Sequence, residues 1–265
     1  MSQHQAYPSD LTDAEWERLA PLIPAAKPGG RPRTVEMRAV LNGIRYVLRG
    51  GIPWRMLPRD LPPWATVYAY FRRWQRDGTW EQLNATLRRE VRVAAGRQPD
   101  PSAGSLDSQS VKTTESGGTR GYDAGKKVNG RKRHILVDTL GLLLLVVVHA
   151  ASVQDRDGAK LVLTAAVPKC PRLRKIWADG GYAGQLIAWV AALAHWVLEI
   201  VKRSDDARGF VVLPKRWMVE RTFGWLGRYR RLSKDYEALT EVSEAMIYAA
   251  MCQLMLRRLA RTQAS

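Results

Sequence analysis

The strongest constraint on the fold is a change of sequence pattern near the middle of the chain. The stretch AGRQPDPSAG, residues 95–104, is rich in Pro, Gly and polar residues, and it follows a part with helical periodicity. After it come three strand-like runs, SLDSQSVKT, RKRHILVDT and LLLLVVVHAA, with a tight turn at Leu140 and Gly141 between the last two. The second part therefore begins as a meander of three strands.

Helix and strand patterns alternate in the rest of the second part. They predict a helix over residues 158–167, a strand that ends at Asp179, a helix over 185–194, a strand at WVLEIVK and a long helical region from Lys215. Three joined strands followed by this alternation predict an α/β domain with a mixed five-stranded sheet flanked by helices.

The first part predicts a small all-α domain. Thr12 and Glu15 fit a capping box, Thr34 is placed to cap a second helix, and a third helix begins near Trp64. The break GGIPWRMLPRDLPP separates the second helix from the third, and a basic helix after a break is typical of helix-turn-helix modules.

The seam and the two patterns together predict the domain organisation. We expect a helical domain over residues 1–98, a linker over 99–104 and an α/β domain over 105–265.

The net charge predicts a polyanionic partner. Lys and Arg number 42 against 25 Asp and Glu, a formal net charge of +17, which favours nucleic acid. A membrane is a weaker alternative, because the longest apolar run, Leu142 to Val148, is far shorter than the roughly 18–20 residues of a spanning helix. The N-terminus lacks a signal-peptide pattern, and Cys170 and Cys252 lack metal-ligand spacing. We expect a soluble cytoplasmic protein associated with the nucleoid, with both cysteines in the core.

Three acids in different elements predict a metal site. Asp107 lies in the first strand, Asp179 ends a later strand before Gly180 and Gly181, and Glu220 lies in a helical pattern. Grouped carboxylates repel one another unless a cation neutralises them, and Mg²⁺ prefers carboxylate ligands. Asp-Gly-Gly is also ordinary turn chemistry, so Asp179 alone is weak evidence.

The helix around Glu220 supports a ligand on its face. At about 100° per residue, Arg216, Gly224, Gly227 and Arg231 project close to Glu220. Glycine inside a helix costs about 1 kcal/mol relative to alanine, which a closely approaching DNA backbone explains. A simple surface pair of Arg216 with Glu220 is the alternative.

The chain resembles bacterial insertion-sequence transposases of insertion-sequence family five. The motifs SLDSQSVKT, GRKRHILVDTLGLLL, IWADGGYAG and VERTFGWLGRYRRLSKDYE resemble the catalytic domain, and LTDAEWERLAPLIP, GGRPRT, YVLRGGIPWRMLP and TVYAYFRRWQRDGTW resemble the N-terminal domain. The resemblance runs in order from Leu11 to Arg258.

The resemblance implies an RNase H-like fold whose Asp-Asp-Glu triad, here Asp107, Asp179 and Glu220, binds two Mg²⁺ ions, with Mn²⁺ as a substitute. Arg216 matches the family's arginine four residues before the glutamate, whereas Gly227 stands where relatives carry a lysine. The implied function is DNA cleavage at insertion-sequence ends and strand transfer of the freed 3′-hydroxyl into target DNA. The implied partners are double-stranded terminal repeats and target DNA, with at least a homodimer in the active complex.

Basic residues and one tyrosine in three regions are predicted to contact DNA, mainly through phosphates. They are Arg31, Arg33, Arg45, Arg49, Tyr68, Arg72, Arg73, Arg76, Lys126, Lys127, Arg131, Lys132, Arg133, Arg216, Arg221, Arg228, Arg230, Arg231 and Lys234. Solvated charged faces are the alternative for such runs. We also consider Tyr182, Trp217 and Trp225 as aromatic side chains that stack on an unpaired base near the cleaved end.

Two other functions stay open from the sequence. One is another RNase H-like nuclease, such as a junction resolvase, against which the helical N-terminal part argues. The other is a transposase-derived DNA-binding protein without activity, against which the intact triad argues.

Overall fold

The computed structural model describes residues 6–26, 29, 33–201 and 215–263. Four helices make up the first part: α1 (Asp13–Leu19), α2 (Met37–Gly50), α3 (Trp64–Arg76) and α4 (Thr79–Ala94). Strands and helices of the second part are β1 (Ala103–Lys112), β2 (Gly121–Asp123), β3 (Val128–Asp138), β4 (Leu143–Ala150), α5 (Asp155–Ala166), β5 (Lys175–Ala178), α6 (Gln185–Ala194), β6 (Val197–Ile200), α7 (Trp217–Leu226) and α8 (Thr240–Gln263).

Local sequence signals set most helix starts in the first part. The predicted capping box is confirmed: the Thr12 hydroxyl accepts from the Glu15 N–H at 3.2 Å, and the Glu15 carboxylate accepts from the Thr12 N–H at 3.1 Å. The start at Trp64 is also confirmed. The cap at Thr34 is wrong, because α2 begins at Met37 with Glu36 as its N-cap residue.

The sheet is mixed, as predicted. β1, β3 and β4 form the expected antiparallel meander, while β5 pairs parallel with β1 and β6 pairs parallel with β5. Among the described residues it has six strands rather than five, since the short β2 pairs with the beginning of β3. Three residues are too few for an alternating pattern to predict a strand.

Helices cover both faces of the sheet, as in an RNase H-like fold. Side chains alternate between the faces along β3. Ile135 and Val137 join an apolar cluster with α7 and α8, while Leu136 joins a second cluster with α5 and α6. Asp107 lies in β1 and Asp179 directly follows β5, in the sheet between these layers.

The helical first part packs directly on the second part. α4 lies against α8, and one apolar cluster includes residues from α1 to α4 together with α8. Asn84 of α4 donates to the Leu143 carbonyl at 2.9 Å, and Arg92 forms a buried ion pair with Asp138 at 2.6 Å. β1 begins at Ala103, inside the predicted linker. The domain boundaries at 98 and 105 therefore stay a prediction.

The helices α2 and α3 are joined by residues 51–63. This connection is longer than the turn of about three or four residues in a helix-turn-helix. The first part is helical as predicted, and its groove-binding geometry stays a prediction.

The long helix predicted from Lys215 is divided into α7, a 3₁₀ turn at Arg230–Leu232 and α8. The segment between the helices is drawn into the core, which a continuous helix would not allow. Tyr229 is buried and donates to the Ala250 carbonyl at 3.0 Å, and Arg231 is buried against Glu237 at 2.8 Å.

The two cysteines are buried free thiols, as expected. Within the described ranges, the helices are all too short or too polar to cross a membrane.

A partly buried acid on α8, Glu244, predicts a pH-dependent stability. The Glu244 carboxylate accepts from the Val148 N–H at 2.8 Å, and burial raises its pKa from 4.5 to about 7. Because the folded state holds this proton more tightly than the unfolded chain, stability is greatest below the unfolded pKa and falls as pH rises through the folded one. Glu244→Gln keeps an acceptor for Val148 and removes the charge. It should match wild type near pH 4 and gain up to about 3 kcal/mol near pH 8.

Urea unfolding at both pH values measures this difference. Glu17→Gln, at an exposed glutamate on α1, is the control and should show no such gain. A Glu244→Gln variant no more stable than wild type at high pH would contradict the prediction.

Candidate active site

Asp107 and Asp179 lie next to each other at one edge of the sheet. Asp107 is within β1, and Asp179 directly follows β5. The two strands run parallel with Ser105 paired to Trp177, so each acid lies two residues beyond the same pair. The parallel register thus brings the two predicted acids together.

The loop after β5 holds the Asp179 carboxylate in a fixed position. Asp179 caps a 3₁₀ turn at Gly180–Tyr182, and its carboxylate accepts from the Gly181 N–H at 2.8 Å. A Cβ atom built at Gly180 would meet no described atom within 4 Å. Asp179 is therefore both a turn residue and a carboxylate beside open space.

Glu220 reaches the same place from α7. One guanidinium nitrogen, Nη2 of Arg216, lies 3.6 Å from the Asp179 carboxylate and 3.5 Å from the Glu220 carboxylate. The Ser105 hydroxyl donates to the Lys215 carbonyl at 2.7 Å, which fixes the start of α7 against β1. The pair of Arg216 with Glu220 considered from the sequence is present. Arg216 also contacts Asp179, which lies on a different element.

Glycines and arginines around Glu220 are only partly placed as predicted. A Cβ atom at Gly224 would meet no described atom within 4 Å, so this face of α7 is open. α7 ends at Leu226, which puts Gly227 at its C-cap. Arg231 lies beyond the helix and is buried, so it does not share the Glu220 face.

The Asp107 carboxyl group has a raised pKa. The pKa is about 6, raised mainly by burial and also by the charge of Asp179, while a hydrogen bond from the Ser108 N–H at 2.7 Å, Lys126 and Arg216 oppose the shift. The charges of Asp179 and Arg216 therefore both affect the pKa of Asp107. A bound cation would favour the charged form of this carboxyl group.

The chemistry of this donor set fits a divalent cation. The three side chains are carboxylates, the ligands that Mg²⁺ prefers, and the Arg216 guanidinium is a cation already held by two of them. Across the described parts of the chain, no three His, Cys, Asp or Glu side chains come close enough together to hold an ion. Arg216 takes the place of a cation between Asp179 and Glu220.

The aromatic side chains near the acids differ in accessibility. Arg221 contacts two tryptophan rings: its guanidinium carbon lies 4.1 Å from the ring centre of Trp217 and 4.7 Å from that of Trp225. The guanidinium carbon of Arg258 lies 4.3 Å from the ring centre of Trp225. Tyr182 is buried, so it is not available to stack on a base as the sequence suggested. Two guanidiniums cover Trp225. Only Trp217, 38% exposed, keeps that possibility.

Eight of the predicted DNA-binding side chains are exposed: Arg33, Arg73, Arg76, Lys126, Lys127, Arg228, Arg230 and Lys234. Another five are partly buried: Arg49, Tyr68, Arg72, Arg216 and Arg221. Arg31 lies outside the described residues. Exposed and partly buried members from both parts of the chain meet where Arg49 donates to the Arg228 carbonyl at 3.2 Å.

Five predicted DNA contacts are corrected by burial: Arg45, Arg131, Lys132, Arg133 and Arg231. Each is bound to groups inside the protein. Arg45 pairs with Glu15 at 3.0 Å, and Lys132 pairs with Asp155 at 3.0 Å.

Arg131 and Arg133 connect β3 to the segment between α7 and α8. Arg131 pairs with the fully buried Asp235 at 3.1 Å, and Arg133 donates to the Leu232 and Lys234 carbonyls at 2.7 Å and 2.9 Å. The basic run KKVNGRKRH thus has two roles: its first two lysines are on the surface, and its later basic residues hold the fold.

Sequence reasoning missed a buried polar cluster beneath the acids. His134 and His149 of β3 and β4 lie 2.8 Å apart, and His134 contacts the Tyr182 hydroxyl at 2.9 Å. A lone histidine in each of two apolar strands was the available signal, because a polar side chain in a buried strand requires a partner.

Two family models match the chain. "Transposase DDE domain" matches residues 98–255, and "Putative transposase of IS4/5 family" matches residues 11–84. No solved structure matches.

Three curated proteins are similar to parts of the chain. "Insertion element IS402 uncharacterized 16.2 kDa protein" of Burkholderia cepacia is 34% identical over 115 residues, which is 40% of this chain and 76% of that protein. "Putative transposase for insertion sequence element IS402" of the same organism is 27% identical over 144 residues, 51% of this chain and 67% of that protein. "Uncharacterized protein y4sN" of Sinorhizobium fredii is 31% identical over 81 residues, 31% of this chain and 65% of that protein.

Proposed function

Because the chain belongs to the DDE transposases of the IS4/5 group, we propose that it binds the ends of an insertion sequence, cleaves the DNA and transfers the freed 3′-hydroxyl to target DNA. The observation that carries the proposal is the single guanidinium of Arg216 in contact with both Asp179 and Glu220, beside Asp107. Two acids from different elements contact one cationic group, and Asp107 lies beside Asp179, all inside the range that matches the DDE domain.

The three acids are the proposed ligands of two Mg²⁺ ions, with Mn²⁺ as a substitute. Bound there, the metal supplies activation of the attacking oxygen and stabilisation of the leaving oxygen in phosphoryl transfer. Asp107 sits on a rigid strand and Asp179 on a capped turn, so both carboxylates are preorganised. Arg216 limits the repulsion between the Asp179 and Glu220 carboxylates before metal binds, and it is then free to contact a phosphate.

Open space at Gly180 and Gly224 gives the DNA backbone access to these acids. Neither glycine's Cβ position meets a described atom within 4 Å. Side chains at these positions would extend toward the scissile phosphate. This use accounts for a glycine inside α7 despite its cost of about 1 kcal/mol.

A basic surface formed by both parts of the chain is proposed to hold the duplex. The end of α2 contacts the loop after α7, since a Cβ atom at Gly51 would lie 2.9 Å from the Arg230 side chain. Arg73 and Arg76 of α3 are exposed on the first part. We assign end recognition to the first part, and the joining of two element ends requires at least a dimer.

The test is an assay with the purified full chain, a duplex that carries the element terminus and a supercoiled target plasmid. The proposal expects specific end binding and a joined product that requires Mg²⁺ or Mn²⁺. Cleavage without joining would indicate a nuclease, and specific binding without either product would indicate a silent DNA-binding protein.

Lys126 and Lys127 are proposed to contact phosphates beside the acids. Both are exposed in the turn before β3, and Lys126 also donates to the Ser108 carbonyl at 3.1 Å. Lys126→Ala with Lys127→Ala should weaken binding to all DNA sequences. It should also reduce the slope of log affinity against log salt by roughly 0.9 per lost contact.

Fluorescence anisotropy across a salt series measures this slope. Lys160→Ala, which removes an exposed lysine paired to Asp157 on α5, is the control. An unchanged slope for the double variant would make this turn a solvated surface.

A further inference from the structure

A chain of hydrogen bonds runs through the interior directly beneath the three acids. The Tyr182 hydroxyl lies 2.9 Å from Nε2 of His134, Nδ1 of His134 lies 2.8 Å from Nε2 of His149, and Nδ1 of His149 lies 2.9 Å from the Ala150 carbonyl. All three side chains are buried. None of them belongs to the triad or to the proposed DNA surface.

The direction of this chain follows from its last acceptor. A carbonyl oxygen only accepts, so Nδ1 of His149 donates and its Nε2 accepts in the neutral ring. His134 therefore donates from Nδ1 and accepts at Nε2, and the Tyr182 hydroxyl donates to it. Burial lowers the pKa of His134 to about 3, lowers that of His149 and raises the pKa of Tyr182 well above 10, which favours the neutral form of each. The network has one hydrogen-bonding arrangement.

Close packing leaves the two rings no alternative position. Gly158 of α5 lies over them, and a Cβ atom there would be 2.5 Å from both His134 and His149. The ring planes are stacked with centroids 5.1 Å apart. The network therefore acts as a rigid spacer between α5, β3 and β4.

Two members of the network, Tyr182 and His134, meet the two segments that carry Asp179 and Asp107. Tyr182 belongs to the turn that Asp179 caps, and its N–H donates to the Asp179 carbonyl at 3.1 Å. His134 pairs in the sheet with Ser108, whose N–H binds the Asp107 carboxylate at 2.7 Å. The hydrogen bond from Tyr182 to His134 thus connects the loop that carries Asp179 to β3, the strand paired with the Asp107 strand.

We propose that Tyr182, His134 and His149 are positioning residues that fix the Asp179 loop against the Asp107 strand and thereby set the affinity of these acids for a divalent ion. The inference rests on the proposed function in one respect, the role of the acids as metal ligands. Groups that orient metal ligands typically change metal affinity about 10–100-fold when they are lost.

Tyr182→Phe is the sharpest variant, because it removes only the hydroxyl. Tyr229→Phe is its matched control: Tyr229 is also buried and also donates one hydrogen bond, to the Ala250 carbonyl at 3.0 Å, but it lies between α7 and α8. The measurement is Mn²⁺ affinity of the full chain without DNA, by paramagnetic resonance, together with the melting temperature. Tyr182→Phe should weaken Mn²⁺ binding about 10–100-fold. Tyr229→Phe should lower the melting temperature by a similar amount and leave Mn²⁺ affinity unchanged.

A pair of variants at His149 tests the hydrogen bonds rather than the volume. His149→Gln retains an acceptor for His134, whereas His149→Leu leaves the His134 N–H without one. The glutamine variant should keep most of the Mn²⁺ affinity, and the leucine variant should lose it as Tyr182→Phe does. Equal Mn²⁺ affinity in wild type and Tyr182→Phe would overturn the inference, as would wild type that binds no Mn²⁺.

The strand-transfer assay separates this inference from the proposed function. Weakened Mn²⁺ binding by Tyr182→Phe together with no transfer by wild type would leave the network's role intact and reject the transposase. Transfer by wild type together with unchanged Mn²⁺ affinity in Tyr182→Phe would support the transposase and reject the network's role.

Discussion

Asp179→Asn is expected to abolish strand transfer and to leave the fold intact. Asparagine retains the oxygen that accepts from the Gly181 N–H, so the turn after β5 should form as before. The substitution removes one negative charge and one proposed metal ligand. Transfer should fall by more than about 100-fold, the upper range for loss of a group that only orients a ligand.

DNA binding and stability should respond to Asp179→Asn in the opposite direction. A carboxylate that faces phosphates without its metal repels them, so end binding should hold or tighten. Asp179 also raises the pKa of Asp107, and its loss relieves that repulsion in the metal-free protein. The melting temperature without metal should therefore hold or rise.

The matched control is Asp157→Asn. Asp157 is an exposed acid on α5 that pairs with Lys160 at 3.2 Å, and its substitution should leave transfer unchanged. Near-normal transfer by Asp179→Asn would contradict the catalytic role. Loss of folding and DNA binding together would make Asp179 a structural residue.

Arg131→Met should destabilise the protein strongly, although the residue lies in a basic run that resembles a DNA contact. Its side chain is fully buried, pairs with Asp235 at 3.1 Å and donates to the Glu237 and Ala238 carbonyls at 2.7 Å and 2.8 Å. Loss of one partner leaves the other charge buried and unpaired, at a cost of about 3–5 kcal/mol. Urea unfolding measures the loss.

Lys127→Met is the control for Arg131→Met, since Lys127 is exposed in the same run. A surface change of this kind should alter stability by less than about 0.5 kcal/mol. DNA affinity of the folded protein should show the reverse order: Lys127→Met should lose more affinity than Arg131→Met. Similar unfolding free energies for wild type and Arg131→Met would show that the buried pair is not required.

Local patterns were sufficient to predict the elements that short-range interactions determine. The Thr12 capping box, the start at Trp64 and the strand meander all depend on neighbouring residues or a regular period. The division of the C-terminal region was not predictable, because Tyr229 and Arg231 are buried by contacts with Ala250 and Glu237 that no local pattern encodes.

The candidate site shows the same limit. Asp107 and Asp179 were predicted from their positions in one strand and directly after another, while the parallel pairing that brings them to a shared edge was not predicted. The burial of Arg131 could not, because its partner Asp235 is 104 positions away in the chain. A charge run looks the same in sequence whether solvent, DNA or a distant carboxylate neutralises it.

The most direct test of the central claim compares two element-end duplexes that differ only at the 3′ terminus. One ends in a 3′-hydroxyl and the other in a 3′-dideoxynucleotide, and each is incubated with the full chain, Mg²⁺ and supercoiled target DNA. Joining by a DDE transposase uses the 3′-hydroxyl as its nucleophile, so we expect a joined product from the first duplex and none from the second, with equal binding of both. Equal binding without a joined product from the 3′-hydroxyl duplex, in Mg²⁺ and in Mn²⁺, would contradict the assignment.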